Sequence, residues 1–496
     1  MKTLIVIEHK QEWPIEITGG TVVTARRYLA EHENSREPAA RVLNLCRTGR
    51  YQGRGYYVSL LAEARGQRPL PDVKTVEDLK SGAYVQALSG QLEPLVTKTL
   101  RHDGSERFEL DAYLGKDPAQ RHPELAEQLF EGVRAPLLRA LFRRAHGHWR
   151  LETLQAIGVA DIPAQHRAFL LEAIKEFAGE APRARPRGAG KGKAQPRLAI
   201  LWDPSQLHRP SNDEALQRLV RAAPLVGLEA ELVGPDALER LSEFDALFNR
   251  ASPEVTGFTY DFVRRAESLG MPVVDDAESI LKCLNKVYMH ELMSRHGIEQ
   301  PKTLVVHRAN VDQVVPTLGL PCVLKLPDSG FGLDVLKIES EDQLRQQAER
   351  FFQVSELFIA QEWLPTGFDW RIGVYDRRPL FVAKYFMAPG HWKVNQVTEG
   401  QRLIEGETVA MSVGEAPERV IDTAVRAANL VGRGLYGVDL KQVGERICLI
   451  EVNCNPNIDA GNEDQVLGEA LYREVVGVFA RRIAEARAGG APSSTP

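Results

Sequence analysis

A chain of 496 residues is too long for one hydrophobic core, and about two to four domains are expected. Its 62 basic residues nearly balance 67 acidic ones, so no global field points to nucleic acid as the main partner. No apolar run reaches the roughly 18 residues of a membrane span. The five cysteines (Cys46, Cys283, Cys322, Cys448, Cys454) lack C-x-x-C spacing, which argues against a disulfide framework or a zinc site and for a reducing, cytoplasmic setting.

In chain order, the apolar run Thr3–Ile7 is cut off by Glu8, His9 and Lys10, too short for a signal segment and suited to a first strand. A helix is expected from about Val22, a strand over Val42–Leu45, and over Gly55–Arg65 a packed helix rather than a site. The pattern from about Pro118 to Phe177 reads as helical. Residues 1–178 thus form an α/β region. Residues 179–196 are rich in Pro, Gly and basic side chains without apolar periodicity, the composition of a flexible basic linker. A solvated tether explains those charges better than an RNA or acidic-protein contact.

Beyond the linker, Leu198–Trp202, a helix over Glu214–Val226 and strands at Ala230–Val233 and Ala246–Phe248 describe a small parallel α/β unit. After Val273-Val-Asp275 a helix is expected over Ser279–His296, stopped by Gly297, then a strand at Thr303–Val306. The strand Pro321–Leu326 delivers Lys325 to its end. The turn that follows, with Ser329, Gly330 and Gly332, offers N–H donors without Cβ obstruction, as phosphate oxygens require, although Gly-x-Gly in a hairpin is usually only a turn. No Walker pattern is present. Lys286 supplies a second lysine near the start of its helix. The strand Leu357–Leu364 runs into Gln361-Glu362-Trp363-Leu364 and stops at Pro365, leaving backbone groups beyond Glu362 free to read an adenine edge. Period-two counting places residues 373 and 375 on the face of Arg371, with Lys384 from the partner strand expected to converge on the same anion. Separate surface charges are the alternative.

The most informative stretch is Gly437–Pro456, two strand-like segments around Gly444-Glu445-Arg446. If those three residues are the loop, Val443 pairs with Ile447 and Asp439 lies opposite Glu451, with Asn453 on the face of Glu451. Facing carboxylates repel unless a cation lies between them, and hard oxygen donors of this kind suit Mg²⁺. A two- or four-residue loop would put the two acids on opposite faces, and a solvated acidic hairpin is the alternative. Cys454 beside Asn453 reads as a buried structural thiol rather than a nucleophile.

In order, Asn285-Lys286, Val-Leu-Lys325 with Ser329–Gly332, Gln361-Glu362-Trp-Leu, Asp369-Trp-Arg371, and Gly-Val-Asp439 followed by Ile-Glu451-Val-Asn453-Cys-Asn-Pro456 resemble the ATP-grasp enzymes, most closely the RimK-type glutamate ligases, over about residues 197–485. The segments Arg41–Cys46 and Gly55–Arg65 are similar to the extra domain fused ahead of some RimK-like ligases. The resemblance implies an α/β (α+β) ATP-grasp fold: an N-terminal domain over 1–178, a pre-ATP-grasp unit over 197–280, an ATP-grasp domain over 281–485 with a clamping part and a C-terminal mixed sheet, and a disordered tail over 486–496. It assigns Lys286, Lys325 and Ser329, Gly330 and Gly332 to ATP phosphates, and Gln361, Glu362, Trp363 and Leu364 to adenine. Asp439, Glu451 and Asn453 are assigned to magnesium or manganese, two ions in all. Arg371, Lys384 and Asn395 are the expected catalytic groups.

The implied reaction joins a carboxylate to an amine through an acyl phosphate, adding an amino acid such as glutamate to a peptide, protein or small-molecule carboxylate. A homo-oligomer is left open. One departure limits the transfer. Where RimK-type enzymes have F-R-[ST]-N-x-H-x-G-G, this chain has His391–Gly400; Lys393 and Asn395 align, the His and second Gly do not, and Glu399 adds an acid. The substrate is therefore not carried over. A kinase on the same fold and an ATP-gated binding module are the competing readings.

Overall fold

A computed structural model of the chain describes residues 3–12, 20–30, 40–145, 148–178, 195–206, 209–328, 334–397 and 403–488. Two compact units emerge, residues 1–185 with 354–356, and residues 186–353 with 357–496. Among the described residues, no helix is long and apolar enough to cross a membrane.

The first unit contains, in order, β1 (Thr3–Ile7), β2 (Gly20–Thr24), α1 (Ala25–Ala30), β3 (Arg41–Asn44), α2 (Arg54–Ala64), β4 (Arg68–Leu70), α3 (Val73–Asp78), α4 (Gly82–Thr99), β5 (Arg107–Tyr113), α5 (Pro123–Gly132), β6 (Leu137–Ala145), β7 (His148–Ala156) and α6 (Arg167–Ala178). Strands β2-β1-β3-β4 form a parallel sheet. All of Thr3–Ile7 is buried, as an unbroken apolar run in a parallel sheet should be. Helix α2 is buried along nearly its whole length, and a Cβ at Gly55 would stand 2.2 Å from the Arg47 carbonyl oxygen, so glycine is required where the loop crosses the helix start. Two expectations fail here. The helix expected from Val22 begins at Ala25, because Val22-Val-Thr24 are β-branched and extend β2. The region 118–177 is not uniformly helical: β6 and β7 pair antiparallel with alternating burial and join β5 in a three-stranded sheet.

The second unit contains β8 (Arg197–Leu201), α7 (Asp213–Ala222), β9 (Glu229–Val233), β10 (Ala246–Asn249), α8 (Phe258–Ser268), β11 (Val273–Val274), α9 (Ala277–Cys283), α10 (Lys286–Arg295), β12 (Thr303–Val306), α11 (Val314–Leu318), β13 (Cys322–Lys325), β14 (Val335–Ile338), α12 (Glu341–Val354), β15 (Phe358–Glu362), β16 (Phe368–Tyr375), β17 (Arg378–Phe386), β18 (Asn395–Val397), β19 (Leu403–Glu405), β20 (Thr408–Met411), α13 (Glu418–Val431), β21 (Leu435–Val443), β22 (Arg446–Cys454) and α14 (Glu469–Arg487). Three sheets organise it: parallel β11-β10-β8-β9, antiparallel β12-β15-β13-β14, and antiparallel β20-β17-β16-β21-β22. The second sheet has its own core of Val306, Leu324, Phe351 and Phe358. The other two share one: Leu198, Leu216 and Phe248 meet Phe381, Leu435, Tyr472 and Phe479, so α14 ties the parallel sheet to the large antiparallel one.

The helix expected over Ser279–His296, within which Asn285-Lys286 also reads as the start of the helix leading to Gly297, is two helices divided at that start. The chain leaves α9 at Leu284, and the Asn285 side chain caps α10 by accepting a hydrogen bond from the Tyr288 N–H at 3.0 Å. That break puts Lys286 at the first position of α10, with its N–H bonded to the Pro327 carbonyl at 2.9 Å, close to where β13 ends in Lys325.

Candidate active site

The β21–β22 hairpin does place Asp439 opposite Glu451, but not through the expected loop. The turn has two residues, Gly444 and Glu445, with Val443 paired to Arg446 and Gly444 at φ 60°, the left-handed conformation a tight hairpin turn requires. Two-residue parity alone would separate the acids. A β-bulge between Asp439 and Leu440 leaves Ile450 without a partner, shifts the register by one and restores the facing pair. Asn453, two residues beyond Glu451, donates its amide Nδ2 to Asp439 Oδ2 at 3.0 Å and to Glu451 Oε1 at 3.2 Å.

The repulsion anticipated between these acids is met by the protein's own cations. Strand β16 pairs Arg371 directly with Asp439, and the guanidinium is bidentate, with Nη2 donating to Oδ2 at 2.9 Å. Lys286 Nζ lies 3.9 Å from Glu451 Oε2. Burial pushes the Asp439 carboxyl up, to about 6, against the pull of Arg371, and it remains ionised at neutral pH. Glu451 also feels burial most strongly, yet Lys286, Lys325, Asn453 and Arg371 together hold it below the usual carboxylate range. Lys325, 8% exposed and without an ion pair among the described residues, is pushed down to about 8, chiefly by burial, with Lys286 and Lys441 adding to the effect and Glu451 opposing it.

With Lys286 behind Glu451, the other groups face a cleft of about 440 Å³ whose walls include Lys325, Gln361–Leu364, Asp369, Arg371, Tyr385, Trp392, Lys393, Asn395, Asp439, Lys441, Glu451, Asn453, Asp459 and Glu463. Gln361 is buried and donates Nε2 to Thr303 Oγ1 at 3.0 Å. The Glu362 carboxylate is taken up by Arg446 at 2.8 Å and the Lys302 N–H at 2.7 Å. Trp363 stands edge-to-face with Trp392 at 4.9 Å, and Lys337 lies over its other face at 4.8 Å. Lys393 and Asn395 line the cleft from the segment that departs from the RimK-type loop.

Lys384 does not join Arg371. The register pairs Arg371 with Ala383 and Lys384 with Trp370, so Lys384 emerges on the opposite face of the sheet, its ammonium 4.7 Å from the Phe368 ring and 4.9 Å from that of Trp370. Ser329, Gly330 and Gly332 lie outside the described residues, as do Glu399 and Gly400. The Cys454 thiol is pushed up by a hydrogen bond with Cys283 and by burial, which suits a structural thiol and not a nucleophile.

The sequence reading missed Lys441, Tyr385, Asp459 and Glu463. Lys441 was within reach of period-two counting, standing two residues after Asp439 on the same strand; it pairs with Asp369 at 2.6 Å. Tyr385 pairs in register with Asp369 and so shares the Arg371 face. Asp459 and Glu463 sit in a loop, where no period exists to place them.

Residues 283–468 match the RimK-like ATP-grasp domain family, and residues 25–173 match the RimK-like ATP-grasp N-terminal domain family. The chain thus carries a RimK-like ATP-grasp domain preceded by a RimK-like ATP-grasp N-terminal domain. Among curated relatives of this RimK-like protein, a probable alpha-L-glutamate ligase 2 from Shewanella sp. (strain MR-4) is 27% identical over 285 residues, 53% of this chain and 89% of the relative. A probable alpha-L-glutamate ligase from Vibrio vulnificus (strain YJ016) is 27% identical over 245 residues, 49% of this chain and 76% of the relative. Among solved structures, a RimK domain ATP-grasp protein from Sphaerobacter thermophilus is similar at 20% identity and a TM-score of 0.43, covering 57% of this chain and 98% of that one.

Proposed function

We propose that this RimK-like ATP-grasp protein is a carboxylate–amine ligase that works through an acyl phosphate and adds an amino acid, glutamate being the first candidate, to a peptide, protein or small-molecule carboxylate. The observation that carries the reading is the convergence of Arg371, Asp439, Glu451 and Asn453, with Lys286 and Lys325 against Glu451, on one cleft. Two probable alpha-L-glutamate ligases among its relatives support the choice of amino acid.

In this reading the backbone around Trp363 and Leu364 receives the adenine, since the Glu362 carboxylate is already committed to Arg446. Lys325 and Lys286 bind the phosphates. Lys325, whose pKa burial lowers to about 8, still carries its charge at neutral pH, and an arriving phosphate would hold that proton more firmly. Arg371 holds the reacting carboxylate and the charge that grows on the transferred phosphoryl group, in a water-poor cleft where fixed charge acts strongly. The reacting carboxylate oxygen attacks the γ-phosphorus, ADP departs, and the amine then displaces phosphate from the acyl carbon. Asn395 and Lys393 form the acceptor wall.

The donor set fits magnesium or manganese: two carboxylates and an amide, all hard oxygen ligands on one patch, with the amide able to turn its Oδ1 forward in place of the Nδ2 now bonded to both acids. Asp439, Glu451 and Asn453 would hold the ion, which would supply positive charge to offset that of the nucleotide phosphates.

The test is a screen of amino acids and peptides with ATP and magnesium, following ADP and free phosphate. The ligase reading expects the two products together, only with both substrates, and a hydroxamate when hydroxylamine replaces the amine. A stable phosphorylated product without hydroxamate would establish a kinase instead.

A further inference from the structure

Apart from the exposed Glu254, Asp328 and Glu405, the acids lining the cleft divide into two groups. Four of them each face a side-chain cation: Asp439 faces Arg371, Asp369 faces Lys441, Glu451 faces Lys286 and Glu362 faces Arg446. Asp459 and Glu463, in the loop that follows β22, do not. Among the described residues neither makes an ion pair; their partners are uncharged. Glu463, only 2% exposed, accepts from the Tyr385 hydroxyl and from the Asp459 N–H at 2.7 Å. Asp459 accepts from the Asn212 N–H at 2.6 Å and from Asn457 Nδ2 at 3.4 Å. Both line the cleft.

The cation that both acids feel, the buried Arg250, spends its donors on Ser211, Asn455, Pro210 and Pro456, so a buried Glu463 and a half-buried Asp459 are left without a direct ion pair, which is costly unless a ligand supplies one. The position of this pair says what that is. Across the sheet Glu451, Asp439 and Arg371 stand side by side, and on the next strand Tyr385, diagonal to Arg371, has its ring 4.8 Å from the guanidinium and its hydroxyl on Glu463. Arg371 holds the reacting carboxylate in the reading above, so the phosphates lie on one side of it and Glu463 on the other. The second substrate must approach the acyl carbon from that other side. An amine at neutral pH arrives as an ammonium ion, which supplies the direct ion pair these two acids do not make within the described residues.

We propose that Asp459 and Glu463 form the subsite for the amine substrate, binding its ammonium, and that Glu463 takes the proton the amine must lose before it can attack. This assignment rests on the ligase reading. The step balances: the ammonium gives one proton to the Glu463 carboxylate, the freed nitrogen lone pair forms the C–N bond at the acyl carbon, the C–O bond to phosphate breaks, and the departing phosphate carries away the electron pair and the second nitrogen proton. Burial pushes the Glu463 carboxyl up to about 7, with the Tyr385 hydroxyl and the Asp459 N–H restraining the rise and the Asp459 charge adding to it, and this matches a base working near neutrality.

Hydroxylamine separates this role from the rest of the site, because it is neutral near pH 7 and needs neither an ammonium subsite nor a base. The full chain is assayed with ATP and magnesium, with the twenty amino acids and glutamyl-glutamate as carboxylates, and with hydroxylamine or each amino acid as the amine. In Glu463→Gln the ratio of hydroxylamine-supported to amino-acid-supported turnover should rise about 100-fold or more. In Asp459→Asn the KM for the amino-acid amine should rise about tenfold while that for hydroxylamine does not. Turnover with hydroxylamine itself reports that each variant is folded. If Glu463→Gln does not fold, Asp459→Asn, at a more exposed position, carries the test. Loss of both activities in proportion, or retention of both, would overturn the subsite and leave the ligase reading standing. A wild-type chain that yields no hydroxamate with any carboxylate would remove the ligase reading and the subsite together.

Discussion

Both units of this molecule place an arginine opposite an aspartate on neighbouring antiparallel strands, and the two pairs behave differently. In the first unit Arg139 on β6 meets Asp111 on β5, bidentate at 2.7 and 2.9 Å, with Tyr113 donating to the same carboxylate at 3.0 Å. In the second unit Arg371 meets Asp439 in the same way. Around Asp111 the buried charges close: Arg139 is bidentate to Asp111, and its second acid, Glu109 at 3.5 Å, is exposed. Around Asp439 they do not, because Glu451 faces the same carboxylate, Asn453 bridges the two, and Lys286 and Lys325 stand against Glu451. A buried ion pair is weak evidence of function, since structure alone can call for it. A surplus of charge around one is stronger evidence, because it lowers stability until a ligand arrives.

The largest effect should come from removing the surplus. Asp439→Asn and Glu451→Gln should each lower ATP turnover by about 10²–10³-fold or more. Asp439→Asn should also destabilise the nucleotide-free chain by about 3 kcal/mol, because Arg371 is left buried without its partner. Thermal unfolding and steady-state assays at saturating magnesium check both. The facing carboxylates alone would have suggested a gain in stability for Asp439→Asn, and Arg371 reverses that sign. Near-normal turnover in both variants would make the second pair as structural as the first.

Next in size is Lys325. Lys325→Met should weaken ATP binding and turnover together, whereas Arg371→Met should lower turnover with ATP affinity largely kept. The lysine also predicts a pH dependence. Its folded pKa, about 8, lies below its ordinary 10.5, so between these values the unfolded chain binds more protons than the folded one. Stability of the nucleotide-free chain should therefore rise with pH across that window, by up to about 3 kcal/mol. Denaturant titrations from pH 7.5 to about 10.5 should show a slope in the wild type that Lys325→Met lacks. No such slope follows for Arg139, whose charge Asp111 already matches.

The closed pair should act on stability alone. Asp111→Asn should cost about 2 kcal/mol, read by thermal unfolding, and leave the ATP affinity of the second unit unchanged by equilibrium binding. A loss of ATP affinity would show that the two pairs are coupled.

How much of this was legible beforehand depended on what carried the information. Apolar runs such as Thr3–Ile7 and Leu198–Leu201 announce buried strands, because a parallel sheet buries both faces. The Asp439–Glu451 contact was legible as chemistry and not as geometry: alternation suggested it, while the bulge at Ile450 that produces it leaves no mark in the residue types. The break at Leu284-Asn285 was within reach, since Asn is a preferred helix cap. Asp459 and Glu463 were not, because their approach to Tyr385 depends on how a loop crosses the sheet edge.

Lys384 gives the smallest effect and the sharpest contrast. By residue type and by distance along the chain it is as good a partner for the transferred phosphoryl group as Arg371. A shift of one position in register decides otherwise, because adjacent strand residues point to opposite faces. On its own face Lys384 lies over Phe368 and Trp370, contacts worth about 0.5–1 kcal/mol each at partly exposed sites. Lys384→Met keeps much of the aliphatic stem and should shift unfolding by no more than that, with turnover within about twofold of wild type. Set beside Arg371→Met, it isolates the face of the sheet as the variable, since both variants remove one cation from neighbouring strands of the same sheet. A collapse of turnover in Lys384→Met comparable to that in Arg371→Met would mean that both faces of the β16–β17 ladder serve the reaction, and the contrast between closed and surplus charge would then no longer locate the site.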